Sequence, residues 1–306
     1  MFSWELLMPH IPNEWLDAVV YLYPTEEDAR RGARAGATGF IVNVPPADAR
    51  LPRNVAHHYV VTNVHAIDGR ASLAVRINLL AGGFDVLTIP STAWVTHPDG
   101  DDVAAASLPF DPSRHRHAAV NRSMMLTQEL HDHWGFGPGD EVFFIGRYVD
   151  HEGKAHNVPT VRSGILSAVP SEPISQRPGR DHDQETILVE ARSLSGYSGS
   201  PVFVTPSPFI DKSPEPGGPP VVRAIDRGPC FLLGIDWGHH SWREPVRDLP
   251  TGRPLNDGSY VSGNSGMMLV VPATRLISLL DTQQLVEKRQ ATEQLIAGPA
   301  VEGEEA

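Results

Sequence analysis

The sequence predicts an all-β protein. Its 306 residues include 27 glycines and 28 prolines, a content typical of many short strands joined by turns and not of a helical bundle. Short runs rich in Val, Ile, Thr and aromatic residues recur along the chain, and turn-forming residues such as HPDGDD separate some of them. The predicted strands are WLDAVVYLY, GATGFIVNV, HHYVVTNV, ASLAVRINLL, FDVLTIPSTAWV, DVAAASLPF, DEVFFIGRYV, TVRSGILSAV, ETILVEARSL, SPVFVT, CFLLGIDW and GMMLVVPA.

The order of these runs divides the chain into segments. A first β-rich unit is followed by a helical connector, a second β-rich unit, an amphipathic helix and an acidic tail that we expect to be disordered. In order, the segments are 12–115, 116–137, 138–272, 273–297 and 298–306. The polar segment EEDARRGARAG is interpreted as a loop or one solvated turn, and TPSPFIDKSPEPGGPP as an exposed, mobile loop.

Charge and composition exclude several classes of protein. The net charge of −12 argues against a large basic surface for nucleic acid. The N-terminus has no basic, apolar pattern of a secretory signal, and no run approaches the ~20 apolar residues of a membrane helix. Cys230, the only cysteine, lies in an apolar run and is expected to be a buried small hydrophobic residue rather than a nucleophile. We therefore expect a cytoplasmic protein that needs no disulfide.

Three local patterns carry residue types suited to nucleophilic catalysis. YVVTNVHAID places His65 directly after a strand, HPDGDDVAAASL places Asp102 at the start of another, and LSGYSGSPVFV places Ser198 in a glycine-flanked turn. Serine needs a base to remove its proton, imidazole titrates near neutral pH, and a carboxylate orients the imidazole. The glycines permit a sharp turn that can direct the N–H groups of Gly196 and Ser198 at a developing oxyanion.

The motifs also resemble those of a known family. Thr62-Asn63-Val64-His65 is similar to the T-x-x-H of trypsin-like serine peptidases, above all the bacterial HtrA-like and glutamyl-endopeptidase-like branches. Asp102-Val103-Ala104 resembles their D-[hydrophobic]-A motif, 196–202 resembles G-x-S-G-[GS]-P-V, and 234–238 resembles their substrate-binding strand. Each motif alone is weak, whereas the order His, Asp, Ser at compatible spacing over residues 17–285 is specific.

The resemblance implies a fold and an activity. The fold would be two antiparallel six-stranded β-barrels with a C-terminal helix, with His65 and Asp102 on the first barrel and Ser198 on the second. The activity would be that of a serine endopeptidase acting through an acyl-enzyme, without cofactor or metal. Tyr197 replaces the Asp with which animal trypsins receive a new N-terminus, so that activation route is not expected. Few residues follow residue 285, so a PDZ domain is not expected.

Other residues compete for these roles. Asp99 and Asp101 lie beside Asp102, but only Asp102 precedes the hydrophobic-Ala strand. Ser265 in Gly-Asn-Ser-Gly matches the nucleophile motif but lacks the Ser-Pro-Val continuation, so we interpret it as a structural turn.

Metal-binding patterns are weaker. His131-Asp132-His133 and 181–183 contain ligand types, but neither has the spacing of a strong site. We therefore interpret both as solvated surface. A metal hydrolase is kept as a weaker alternative function.

Four residues are predicted to bind substrate: Arg192, Asp236, Trp237 and Gly238. Arg192 at the base of the pocket would favour acidic P1 side chains, and Asp236 would favour basic ones, unless the two form a pair. We lean to basic P1 residues, with an apolar pocket as the equal alternative. The expected partner is a protein or peptide substrate, not nucleic acid or membrane, and the C-terminal helix is a candidate surface for a partner protein. The alternative function is a catalytically silent domain that binds protein.

Overall fold

The structure is a computed structural model of a mainly β chain. It describes residues 11–33, 36–52, 54–109, 111–149, 153–170, 172–175, 183–206, 229–255 and 258–298. The stretch TPSPFIDKSPEPGGPP, predicted as a mobile loop, and the predicted acidic tail lie almost wholly outside these residues.

The N-terminal half forms one eight-stranded sheet, which is antiparallel except for one short parallel pair. The strand order is β5-β4-β1-β2-β3-β7-β6, and β8 pairs with β2 in parallel. The strands are β1 (Val19–Tyr23), β2 (Ala37–Val44), β3 (His57–Thr62), β4 (Ser72–Asn78), β5 (Phe84–Pro90), β6 (Val95–Thr96), β7 (Ala104–Ser107) and β8 (Val120–Asn121).

The C-terminal half forms a closed six-stranded barrel in the order β10-β13-β16-β15-β14-β9. Its strands are β9 (Glu141–Gly146), β10 (Thr160–Ala168), β13 (Ile187–Glu190), β14 (Pro201–Thr205), β15 (Phe231–Pro245) and β16 (Tyr260–Pro272). A separate two-stranded sheet contains β11 (Ile174–Ser175) and β12 (Asp183–Gln184). The predicted all-β class with two β units and C-terminal helical structure is confirmed; in hydrogen bonding the first unit is a half-barrel of eight strands, whereas six strands close the second.

Three apolar cores result from the two-residue period of the strands. In β1, Val20 and Leu22 point into a core within the N-terminal sheet, whereas Val19, Tyr21 and Tyr23 point to the other face. That second face packs against C-terminal residues such as Phe203, and a third core fills the barrel. All five β1 residues are therefore buried, and the two halves share one continuous core.

The helices differ from the prediction in four places, three of them before the C-terminal segment. The segment expected to be a loop or one solvated turn forms the six-residue helix α1 (Glu26–Arg31), because Thr25 caps its N-terminus and Gly32, at φ 64°, ends it in the left-handed conformation. A four-residue helix, α2 (Val64–Ile67), follows β3. In the connector only α3 (Gln128–Trp134) is α-helical, starting at a Thr127 cap.

The single predicted C-terminal helix is two helices, α4 (Ala273–Leu280) and α5 (Gln283–Ala297). The α4 leucines and Leu285 are buried against the inter-unit core, so the chain itself covers much of the apolar face predicted as a partner surface. No helix in the described part of the chain has the length and apolar character to cross a bilayer.

Strands β15 and β16 are longer than predicted and continue beyond the barrel as a two-stranded ribbon. Their pairing extends to Pro245 opposite Tyr260. The Trp242 ring packs on Gly263, where a Cβ would lie 2.7 Å from the indole. The ribbon is exposed on both faces, so its sequence lacks the alternating apolar pattern by which strands are recognised.

Candidate active site between the two β units

His65 and Asp102 meet at the end of β3. His65 is the second residue of α2, and Asp102 lies in the loop that leads into β7. The His65 Nδ1 lies 2.6 Å from Asp102 Oδ2, and the His65 backbone N–H donates to Oδ1 at 3.0 Å. Because a carboxylate only accepts hydrogen bonds, Nδ1 carries the proton and Nε2 of the neutral ring keeps its lone pair. Asp102 is 3 % exposed, whereas the His65 side chain is 22 % exposed.

Two buried amide side chains hold the Asp102 backbone. The Asp102 N–H donates to Gln184 Oε1 at 2.8 Å, and Asn63 Nδ2 donates to the Asp102 carbonyl at 2.8 Å. Gln184 comes from the C-terminal half, so the orientation of the carboxylate depends on contact between the two halves. Sequence analysis did not single out Gln184 or Asn63, and no local pattern around Gln184 indicates this role.

The two neighbouring aspartates have different partners. Arg275 of α4 donates through Nε to Asp101 Oδ2 and through Nη2 to Asp99 Oδ2, the latter at 2.9 Å. His97 Nδ1 lies 3.0 Å from Asp101 Oδ2, so the ligand atoms of His97, Asp99 and Asp101 cluster in a way that could hold a metal ion. The Arg275 guanidinium already supplies the positive charge between the carboxylates, and an ion pair explains the cluster.

Thr38 of β2 fixes the loop that carries Ser198. Its N–H donates to the Ser198 carbonyl at 2.9 Å, and its hydroxyl donates to the Gly196 carbonyl at 2.6 Å. The same hydroxyl accepts from the Arg147 N–H at 2.9 Å, and Thr38 is fully buried. Thr38 thus joins the first β unit to the candidate nucleophile loop, a role that sequence analysis missed because threonine is ordinary in a strand.

Gly199 brings this loop against the end of β3. Its φ is 88°, and its N–H donates to the Asp236 carbonyl at 2.8 Å. A Cβ at Gly199 would overlap the Thr38 carbonyl oxygen and lie 2.5 Å from Thr62 Oγ1. Thr62 is the last residue of β3, three positions before His65, so Ser198 lies beside the strand end from which His65 follows.

The groups that would perform chemistry have no partner in the described part of the chain. Neither Ser198 Oγ nor His65 Nε2 hydrogen-bonds to a described residue, and the N–H groups of Gly196 and Ser198 donate to none. Gly196 has φ 98°, a conformation that favours glycine. Two backbone donors, a hydroxyl and an imidazole acceptor are therefore not engaged by the described residues.

The predicted substrate-binding residues fall into two groups. Arg192 is exposed, and its side chain makes no ion pair with Asp236. Asp236 is fully buried, accepting from Ser193 Oγ at 2.6 Å and from the Gly238 N–H at 2.9 Å. Burial raises the pKa of Asp236 to about 7 despite these two hydrogen bonds. The Trp237 ring is buried beside it.

The competing candidates are engaged elsewhere. Ser265 lies on the exposed ribbon, where its hydroxyl donates to the His240 carbonyl at 2.7 Å. Burial raises the pKa of the Cys230 thiol to about 12, which keeps it protonated at neutral pH. His131 contacts the exposed Asp132, and residues 181–182 of the second metal pattern lie outside the described residues.

Comparison with known proteins finds matches among solved structures. The MamO protease domain of Magnetospirillum magneticum is 18 % identical, with 87 % of this chain and 97 % of that chain covered and a TM-score of 0.47. The inactive form of the Rv3671c protease of M. tuberculosis is 15 % identical over 86 % and 87 % of the two chains, with a TM-score of 0.43. The chain is similar to both of these protease structures.

The HtrA-type protease AlgW with a tripeptide is 17 % identical at a TM-score of 0.44, and the match covers 90 % of this chain but 64 % of AlgW. No family model matches the sequence, and comparison with curated proteins finds no match. The matches among solved structures concern the path of the chain.

Proposed function

We propose that the protein is a serine endopeptidase with Ser198 as nucleophile. The observation that carries the proposal is the His65–Asp102 pair, which leaves Nε2 as an acceptor beside the strand end that the Ser198 loop contacts. Asp102 orients His65 and stabilises the imidazolium that forms when His65 takes the serine proton. The N–H groups of Gly196 and Ser198 would stabilise the oxyanion.

The reaction follows from these groups. Ser198 Oγ attacks the carbonyl carbon of the scissile peptide, its proton passes to His65 Nε2, and the carbonyl oxygen becomes an oxyanion. His65 then gives the proton to the leaving amine as the C–N bond breaks, which leaves an acyl-enzyme on Ser198. Water, deprotonated by His65, attacks this ester and releases the acid. The serine hydroxyl is restored at the end of the cycle.

For substrate choice we propose a preference for basic P1 residues. Arg192 is exposed, and solvent screens its charge, whereas Asp236 is buried next to Ser193. The pKa of the Asp236 carboxyl group is about 7, and a substrate cation beside it would favour its ionised form. Cleavage-site profiling on an unbiased peptide library tests this preference. Cuts clustered after Asp or Glu would show that Arg192 determines the P1 preference. Cuts after apolar residues would show that neither Arg192 nor Asp236 determines it.

A catalytically silent domain that binds protein is the second candidate. Two observations favour it: Ser198 Oγ makes no hydrogen bond to His65, and the Gly238 N–H is already used by the Asp236 carboxylate. A substrate main chain that paired with the predicted binding strand would have to displace that carboxylate. Hydrogen bonds between catalytic groups often tighten only when substrate binds, which keeps the peptidase as the first candidate.

Labelling by a fluorophosphonate probe separates the two functions. We expect the wild type and Ser265→Ala to be labelled, and Ser198→Ala to fold normally and remain unlabelled. Ser265 is the matched control because it also lies in a Gly-x-Ser-Gly sequence. Labelling of Ser198→Ala at the wild-type rate would remove Ser198 from the site. A wild type that is folded but inert to the probe and to peptides would favour the binding module.

A further inference from the structure

A cavity of about 670 Å³ lies at the start of β3, at the opposite end of that strand from His65. It lies between the N-terminal sheet and α5. Five residues that carry or can acquire positive charge line it: His57, His58, His117, Lys288 and Arg289. Among the described residues that line it there is no aspartate or glutamate, although the protein as a whole has a net charge of −12. Cationic lining in an acidic protein is unexpected for a surface that serves solubility alone.

The main observation is that Arg289 is buried without an ion pair to a described carboxylate. It is only 8 % exposed, and its Nη1 donates to the Leu280 carbonyl at 2.9 Å and to the Tyr59 hydroxyl at 3.3 Å. Both partners are neutral, and Arg289 forms no ion pair with any described carboxylate. A buried guanidinium is always charged, and burial without a counter-charge is unfavourable. An anion in the adjoining cavity would supply that charge.

A buried carboxylate on the same helix is already engaged by other donors. Glu293, one turn further along α5, accepts from His57 Nε2 at 2.8 Å, from the Asp48 N–H at 2.9 Å and from the Ala47 N–H at 3.2 Å. These donors engage the Glu293 carboxylate and anchor α5 to the N-terminal unit. The cavity therefore keeps a positive balance even with Glu293 and the neutral Tyr59 phenol counted among the groups that surround it.

The imidazoles give the cavity a second feature. The rings of His58 and His117 meet edge to face with 5.9 Å between centroids. Burial, with the nearby His117, lowers the pKa of His58. An anion would favour the protonated rings, and binding would therefore take up protons.

We propose that this cavity binds a small anionic molecule that bears carboxylate or phosphate groups, with Arg289 and Lys288 as its cationic contacts. The volume suits a molecule of metabolite size, because ligand pockets span about 300–1,000 Å³. The flat guanidinium can hold two oxygens of one carboxylate or phosphate group. This site is separate from the His65–Asp102 pair, so it stands or falls independently of the proposed peptidase activity.

The proposal is tested by titrating the full chain with inorganic phosphate, pyrophosphate and citrate. Binding is measured by calorimetry and by the ring C–H signals of the histidines in NMR spectra. We expect at least one anion to saturate below about 10 mM, to shift the His57, His58 and His117 signals, and to bind more tightly at pH 6 than at pH 8. Preference between phosphates and citrate then identifies the ligand group.

Two variants and a control locate the binding. Lys288→Gln, at an exposed position, should weaken binding several-fold without changing stability, and Arg289→Gln should weaken it by about tenfold or more. Lys154→Gln, also exposed but away from the cavity, should bind like wild type. The proposal is overturned if no anion shifts those histidines, or if Lys154→Gln weakens binding as much as Lys288→Gln. Since Lys288→Gln does not threaten the fold, a misfolded Arg289→Gln would leave the test intact.

Discussion

Replacing Asp102 by asparagine should abolish the base function of His65 while keeping the fold. The carboxylate accepts from two donors of the same residue, the His65 N–H at 3.0 Å and Nδ1–H at 2.6 Å. Asparagine offers one acceptor and one NH₂ group. Because the backbone N–H can only donate, the amide oxygen must face it, and the NH₂ group then faces Nδ1. Nδ1 must accept, so the ring proton moves to Nε2, where the lone pair is needed.

The expected effect on turnover is a loss of about 10⁴-fold, the size that the wrong imidazole tautomer causes in a Ser-His-Asp triad. At about 1.36 kcal/mol for each factor of ten, this is roughly 5 kcal/mol of transition-state stabilisation. The measurements are the rate of fluorophosphonate labelling and of peptide hydrolysis, with thermal unfolding to verify the fold. The Asp102 backbone bonds to Gln184 and Asn63 do not involve the carboxylate, so stability should change little.

Asp101→Asn is the matched control for this experiment. Asp101 accepts from Arg275 Nε and, at 2.8 Å, from Gln184 Nε2, and its carboxylate is buried. We expect this variant to be less stable, by roughly the 1–3 kcal/mol of a disturbed buried polar contact, but to lose less than about tenfold in labelling rate. If Asp101→Asn abolished labelling and Asp102→Asn did not, the assignment of the carboxylate that orients His65 would be refuted.

Two further predictions concern the Ser198 loop and its support. Gly199→Ala should lose labelling and about 2–5 kcal/mol of stability, because a Cβ at φ 88° would overlap the Thr38 carbonyl. The control Gly69→Ala, at φ 70° with open space around it, should lose only about 1–2 kcal/mol. Equal losses of stability in thermal unfolding would contradict the steric argument. Asp236→Asn should be stabilised relative to wild type as pH rises from about 4 to 7, because the native carboxyl, with its pKa raised from 3.8 to about 7, keeps a proton that the unfolded chain releases. The difference, measured by denaturant unfolding, should grow by at most about 1.4 kcal/mol per pH unit, and a constant difference would show that Asp236 is ionised in the native state.

Much of the strand content was predictable, because several strands are buried on both faces and are therefore continuous apolar, β-branched runs. β1 and β2 show the apolar and β-branched composition that marks buried strands. The ribbon formed by the outer parts of β15 and β16 was missed because it has no buried face to impose alternation. The sequence does not indicate the open hydrogen bonding of the N-terminal sheet, because closure depends on how the edge strands β5 and β6 approach, which no local pattern records.

The helices show the limits of periodicity. The sequence pattern predicted one C-terminal helix, and the chain forms α4 and α5 with a break at Asp281–Thr282. The apolar positions continue through the break because both helices pack on the same core. In contrast, α1 has no apolar stripe, and its pattern indicates a loop or one solvated turn, although the Thr25 cap and the Gly32 ending are local signals of a helix.

By itself, the sequence determined which residue types are available for chemistry and in what order, since His65, Asp102 and Ser198 each lie in a motif that can be identified within a few residues. Tertiary structure decided which of three adjacent aspartates faces the imidazole. Arg275 engages Asp99 and Asp101 from a helix some 170 residues away in sequence, and Gln184 holds Asp102 from the other half. Thr38 joins the nucleophile loop to the first sheet in the same way. These choices depend on hydrogen bonds between segments far apart in the chain, and such bonds exist only after the two halves have packed on their common core.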